Sequence, residues 1–125
     1  MQQLEFLKKF FLALYSSVVF WDKQKPTAKE EIIWYAILGK RLLSCNYKGH
    51  HRVIEPHVFG MKNGGDQLQI YQIRGESSQG KILGWRRLKL EEITNLEILD
   101  ETFPGRRKVK DLHSRFDKIY VIVAW

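Results

Sequence analysis

Between Tyr47 and Asp100 the chain opens YKGHHRVIEPHVFG and closes GWRRLKLEEITNLEILD. Short β-branched and aromatic runs are punctuated by Lys48-Gly49, by Asn63-Gly64-Gly65 and by GESSQG at 75–80. That is the pattern of short strands joined by turns. Leu43, Cys45 and Tyr47 alternate with Ser44 and Asn46, so a first strand ends at Lys48-Gly49. Further strands are expected over 51–59, 67–74, 85–90 and 96–99, with a turn at Glu91-Glu92. Pro56 inside the second run demands a sheet edge or a bend, because proline has no N–H to give a ladder. The run KIYVIVAW at 118–125 suits a last strand, while Asp111 offers the alternative of capping a helix.

Ahead of the strands the period changes. Thr27 followed three residues later by Glu30 forms a capping box, and Ile32, Ile33, Ala36 and Ile37 make one apolar face. A helix over 27–38 follows, with Gly39 as its stop. The polar segment DKQKP at 22–26 separates it from an earlier apolar run, FFLALYSSVVFW at 10–21. That run is too short to span a bilayer, which takes roughly 20 residues. Bulky Val18, Val19, Phe20 and Trp21 stand where a signal peptidase needs small residues. Leu4, Leu7, Phe11 and Leu14 recur at helical spacing, so a helix that packs or meets a partner is preferred to an interfacial membrane helix or an export signal. The expected organisation is an apolar helical extension at 1–26 and one domain at 27–125. Its class is mainly β with N-terminal helices (α+β), as a small β-barrel preceded by one or two helices.

The 125 residues carry 21 Lys and Arg against 14 Asp and Glu, a formal charge of +7 that favours polyanionic partners. The single Cys45 rules out an intramolecular disulfide framework and suits a reducing, cytoplasmic setting. It sits in the apolar run LLSCNY and reads as a small core residue.

RVIEPH at 52–57, YQIRGESSQG at 71–80 and WRRLKLEEI at 85–93 together resemble the WYL domain, and in particular small stand-alone WYL-like proteins. The likeness spans about half the chain plus the preceding helix. It implies an SH3-like or Sm-like barrel and a ligand-sensing role. WYL domains usually accompany helix-turn-helix regions in bacterial transcription regulators and are thought to bind nucleotides or single-stranded nucleic acid. Tyr71 matches the family's central tyrosine, Arg86 and Lys89 its later basic positions, and Arg52 the basic residue ahead of the proline. Ile70 and Gln72 stand where the name-giving Trp and Leu would be, and Glu92 replaces a basic residue. No DNA-reading helix-turn-helix is expected, since the first helix is too apolar for a major groove.

The candidate ligand-binding residues are Tyr47, Arg52, His57, Tyr71, Arg74, Arg86 and Lys89. Guanidinium groups pair with phosphate oxygens and aromatic faces stack bases, and proteins that hold single strands combine the two. Along 85–90, Trp85, Arg87 and Lys89 point one way and Arg86, Leu88 and Leu90 the other. Arg86 therefore shares the apolar side and needs either a ligand or an internal partner such as Glu55 or Glu97.

Other chemistries fare worse. His50 and His51 are adjacent on a strand and face opposite ways, and no Cys or carboxylate lies at ligand spacing, so no metal site is expected. His57 reads as a hydrogen-bonded structural residue or as one wall of the ligand site. Ser77 and Ser78 lie in an ordinary polar loop without a nucleophile elbow, so neither an enzyme nor a cofactor is expected. The cluster Arg106-Arg107-Lys108-Lys110 is either a solvated connector or a non-specific clamp on phosphates.

The function expected is a regulatory module that senses a nucleotide or single-stranded nucleic acid. The alternative is a protein-interaction or homodimerisation module using Leu4–Leu14; membrane association is not expected.

Overall fold

The structure is a computed structural model and describes residues 27–77, 82–108 and 115–125. The apolar segment Leu4–Leu14 lies outside the described residues, and so do Ser78, Lys110 and Asp111. Helix α1 (Ala28–Gly39) is followed by β1 (Arg41–Tyr47), β2 (His50–Lys62), β3 (Gly65–Gly75), β4 (Gly84–Lys89), a 3-10 turn at Leu90–Glu92, β5 (Ile93–Thr102) and β6 (Lys118–Ile122).

The capping box at the start of α1 is complete. The backbone N–H of Glu30 donates to Thr27 Oγ1 at 3.2 Å, while Thr27 N–H donates back to Glu30 Oε1 at 3.4 Å. The helix stops one residue later than Gly39 implies. Lys40 adopts the left-handed conformation (φ 52°) and its N–H reaches the carbonyls of Ala36 and Ile37. Ile33, Trp34 and Ile37 point into the core, where they meet Leu43, Ile54, Phe59, Leu68, Ile70, Leu88 and Ile93. Each of these large side chains is fully buried and contributes about 1.5–3 kcal/mol of transfer free energy.

Two hairpins fix the register of the first three strands. At Lys48-Gly49 and Asn63-Gly64 both central residues have positive φ, 51° and 79° in the first turn and 53° and 79° in the second. These are the turns whose twist matches that of the flanking strands. The antiparallel sheet runs β4-β3-β2-β1-β5, and β6 also pairs with β2. The protein is mainly β, with one described helix ahead of the sheet. Among the described residues the sheet is open, with β4 and β5 as the outer strands of that order, so the expected closed barrel is not seen. Side chains reach across instead: Arg74 of β3 holds Glu101 of β5 through two N–H···O bonds of 3.0 and 2.7 Å.

The long strand β2 is shared. Its first half pairs with β1 (Tyr47 opposite His50 through Leu43 opposite Ile54), and its second half pairs with β6 (Val58 opposite Ile122 through Met61 opposite Lys118). Pro56 sits at the changeover, where the ladder to β3 also shifts register between Pro56 and Val58. A residue without an N–H thus sits beside an irregularity in the ladder, one of the places where a strand tolerates proline. Gly60 is equally placed by need, since a Cβ there would run into the backbone carbonyl of Lys118 on β6.

Candidate functional site

Inward positions on β3 are Leu68, Ile70 and Gln72, all with no exposure. Leu68 lies opposite Leu88, and Ile70 opposite Arg86 on β4. Alternation therefore carries Arg86 onto the core side at the end of the strand, beside Gln72. From β2, Arg52 enters the same place and is 4% exposed.

Both guanidinium groups converge on one atom. Arg52 Nη1 and Arg86 Nε each donate to Gln72 Oε1 at 3.0 Å. The amide cannot flip, because its Nε2 donates to the carbonyls of Arg74 (3.2 Å) and Glu76 (2.9 Å). Arg52 also forks onto the carbonyl of Tyr47 through Nε and Nη2, both at 3.4 Å, and lies against the Tyr47 ring. Every acceptor of Arg52 is neutral. Burial, and next the charge of Arg86, lower the pKa of Arg52, although a guanidinium stays protonated throughout.

Above this pair opens a recess of about 280 Å³, lined by Tyr47, Lys48, Arg52, Ser77, Trp85, Arg86, Arg87 and Leu88. Lys48, Arg52 and Arg86 are cations and no described lining residue is a carboxylate, which favours an anion there. Trp85 and Arg87 border the recess from the other face of β4, where Arg87 Nε donates to Gln69 Oε1 at 3.4 Å and the Trp85 ring packs on Tyr71. Tyr47 forms one wall. It is held by its hydroxyl, which donates to Glu92 and accepts from the Lys89 N–H, both at 3.1 Å. Burial raises the pKa of that hydroxyl. The loop carrying Ser77 leaves β3 at Gly75, whose φ of 104° and close approach to the His51 carbonyl exclude a side chain.

Three expected residues, Tyr47, Arg52 and Arg86, thus meet in the recess. The other four lie elsewhere. Arg74 is exposed and bound to Glu101. Lys89 is exposed and borders a larger groove of about 850 Å³ between the start of α1, the β2–β3 turn and the 3-10 turn. That groove mixes Lys29, Lys62 and Lys89 with Glu30, Asp66 and Glu91, so it has no consistent preference for an anion.

His57 and Tyr71 belong to a latch around the changeover in β2. The backbone N–H of Arg107 donates to His57 Nε2 at 3.3 Å. Nδ1 therefore carries the ring proton and donates to the Glu55 carbonyl at 3.0 Å. The imidazole has no exposure and touches the rings of Trp85 and Phe103. Burial lowers its pKa below the ordinary 6.5. Arg107 grips the Glu55 carboxylate at 2.7 and 3.2 Å and lies over the Tyr71 ring, 3.8 Å from its centroid. Glu55 is thus paired with Arg107, and Arg86 reaches Gln72 instead. The basic connector is docked at this point rather than solvated throughout.

Gln72 is the residue that strand reading undervalues: it stands out only as a departure from the WYL pattern. Its signal is a polar side chain in phase with Leu68 and Ile70 on an inward face. Among the described residues no group of three or more His, Cys, Asp or Glu could hold a metal ion, and no helix is long and apolar enough to cross a membrane.

No protein-family model matches the chain, and no curated protein or solved structure is significantly similar to it.

Proposed function

We propose that this chain is a ligand-binding regulatory module that holds a nucleotide or single-stranded nucleic acid by its phosphate. Arg52 forms the floor of the site, Arg86 its side, Lys48 its rim and Tyr47 its aromatic wall. The WYL-like identity, with the closed SH3-like or Sm-like barrel it implies, is part of this proposal, as is the absence of catalysis.

One observation carries the reading: two guanidinium groups meet on a neutral amide oxygen, in a recess bordered by Lys48 and with no carboxylate in its described lining. A cation as buried as Arg52 ordinarily has an anionic partner. Phosphate is the anion that guanidinium forks match best. The volume of about 280 Å³ lies at the small end of the range for ligand pockets, which suits one nucleotide unit rather than a large cofactor.

Fluorescence anisotropy with labelled single-stranded DNA, single-stranded RNA and duplex DNA, at low and near-physiological salt, tests it. Single-strand binding that persists in salt and weakens in Arg86→Ala, with the melting temperature unchanged, is expected. Binding of every probe that vanishes alike with salt would reduce the positive charge to non-specific attraction.

A further inference from the structure

The inner end of the recess distinguishes two kinds of phosphate. A phosphodiester inside a strand carries one negative charge and a nucleoside on each side. A terminal phosphomonoester carries about −1.5 to −2 at neutral pH and has three free oxygens. Arg52 lies at the floor with 4% exposure, so a phosphate that touches it has to enter end-on. A guanidinium has five N–H donors. Nε, Nη1 and Nη2 of Arg52 each direct one to Tyr47 or Gln72, which leaves one N–H on each terminal nitrogen without an acceptor among the described residues. Nearly buried donors of this kind require an acceptor, and two of them from one guanidinium suit two oxygens of one phosphate.

We infer that the recess receives a terminal phosphate monoester, so that its ligand is a strand end or a mononucleotide rather than the interior of a strand. The inference rests on the phosphate-binding reading above and narrows it. Arg52 contacts the phosphate from the floor and Arg86 from the side. Tyr47 flanks the attached nucleoside, which stays nearer the mouth. The rim cation Lys48 serves any phosphate that follows.

The test uses the intact chain and competition against a labelled single strand. One set of competitors is a short oligothymidylate with a 5′-phosphate, with a 3′-phosphate, or with hydroxyls at both ends. A second set is adenosine 5′-monophosphate, its 3′,5′-cyclic diester and adenosine. A phosphorylated end, and the open monophosphate over the cyclic one, should compete about tenfold or more better, the worth of one or two charge-assisted hydrogen bonds. The preference should shrink below about pH 6, where the monoester gains a proton, and disappear in Arg52→Lys and Arg86→Ala. Thermal melting of both variants separates loss of the site from loss of the fold, and Arg86→Ala suffices if Arg52→Lys does not fold. Equal competition by phosphorylated and hydroxyl ends, still lost in Arg86→Ala, would overturn the end-on inference and leave the phosphate site standing. Competition that never depends on Arg86 would sink both.

Discussion

Arg86 Nε stands 3.0 Å from Gln72 Oε1, an oxygen that Arg52 shares at the same distance. The amide oxygen adds no charge between the two cations, so a carboxylate at position 72 should weaken the pull of the recess on anions. Gln72→Glu places a carboxylate between the guanidiniums and should weaken phosphate-probe binding by about tenfold or more. Its two lost donations to the Arg74 and Glu76 carbonyls, each about 0.5–1.5 kcal/mol, offset the stronger charged bonds. Melting should therefore change little. Gln72→Leu instead strips an acceptor from the nearly buried Arg52 and should cost about 1–3 kcal/mol. Denaturant titration beside anisotropy reads both effects, and a Gln72→Glu chain that binds as before would end the argument.

The latch should respond asymmetrically. The Glu55 side chain is 7% exposed and that of Arg107 44%. Removing the outer partner strands a buried carboxylate, whereas neutralising the inner one frees a cation that can turn to water. Arg107→Ala should cost about 2 kcal/mol, and Glu55→Gln distinctly less. The double variant should recover part of the Arg107→Ala loss. Urea unfolding of the set measures this, and a larger loss for Glu55→Gln would contradict it.

A pH effect should come from His57, whose surroundings include Glu55, Arg107 and Arg106. The folded pKa lies below the ordinary 6.5, so near neutrality both folded and unfolded chains are unprotonated here and the full stability is present. As pH falls through 6.5 the unfolded chain takes up a proton that the folded one resists, and stability is lost. Protonation would also set an Nε2–H against the Arg107 N–H. The melting temperature should decline between about pH 7 and 5, above the main carboxylate range. In His57→Gln that slope should flatten, whatever the overall stability; an unchanged slope would assign the effect elsewhere.

Cys45 should be inert. It is 1% exposed, and burial pushes its thiol up to about 11. At pH 8 a thiol reagent should label it only after denaturation, since the thiolate is the nucleophile. Fast labelling of the native chain would show that β1 opens readily.

Local signals are legible wherever chemistry and geometry meet within a few residues. Thr27 and Glu30 specify the helix start, and Lys48-Gly49 and Asn63-Gly64 specify two turns. Alternation along 85–90 is enough by itself to put Arg86 on the inner side. The site is less legible because its assembly depends on register between strands. Arg52 and Arg86 meet only because β2 and β4 flank Gln72 on β3. Likewise, nothing near Arg107 announces that Glu55 and Tyr71 are its neighbours. The strand expected at 96–99 extends over Ile93–Thr102, because pairing with β1 continues through exposed polar positions that hydrophobic alternation cannot register. Gly39 similarly points to a helix stop that Lys40 provides by a less common route.

The sharing of β2 between β1 and β6 also sets a timetable for the nascent chain. β1 and β3, the partners of its first half and of its other side, are synthesised close by, but Val58 must wait for Ile122. Until then the stretch Val58–Met61 presents an unsatisfied strand edge while the ribosome completes the intervening segment. At translation rates of roughly 5–20 residues per second that exposure lasts several seconds. The recess residues, all made before then, can be in position while the chain still has an open edge on which another molecule could template.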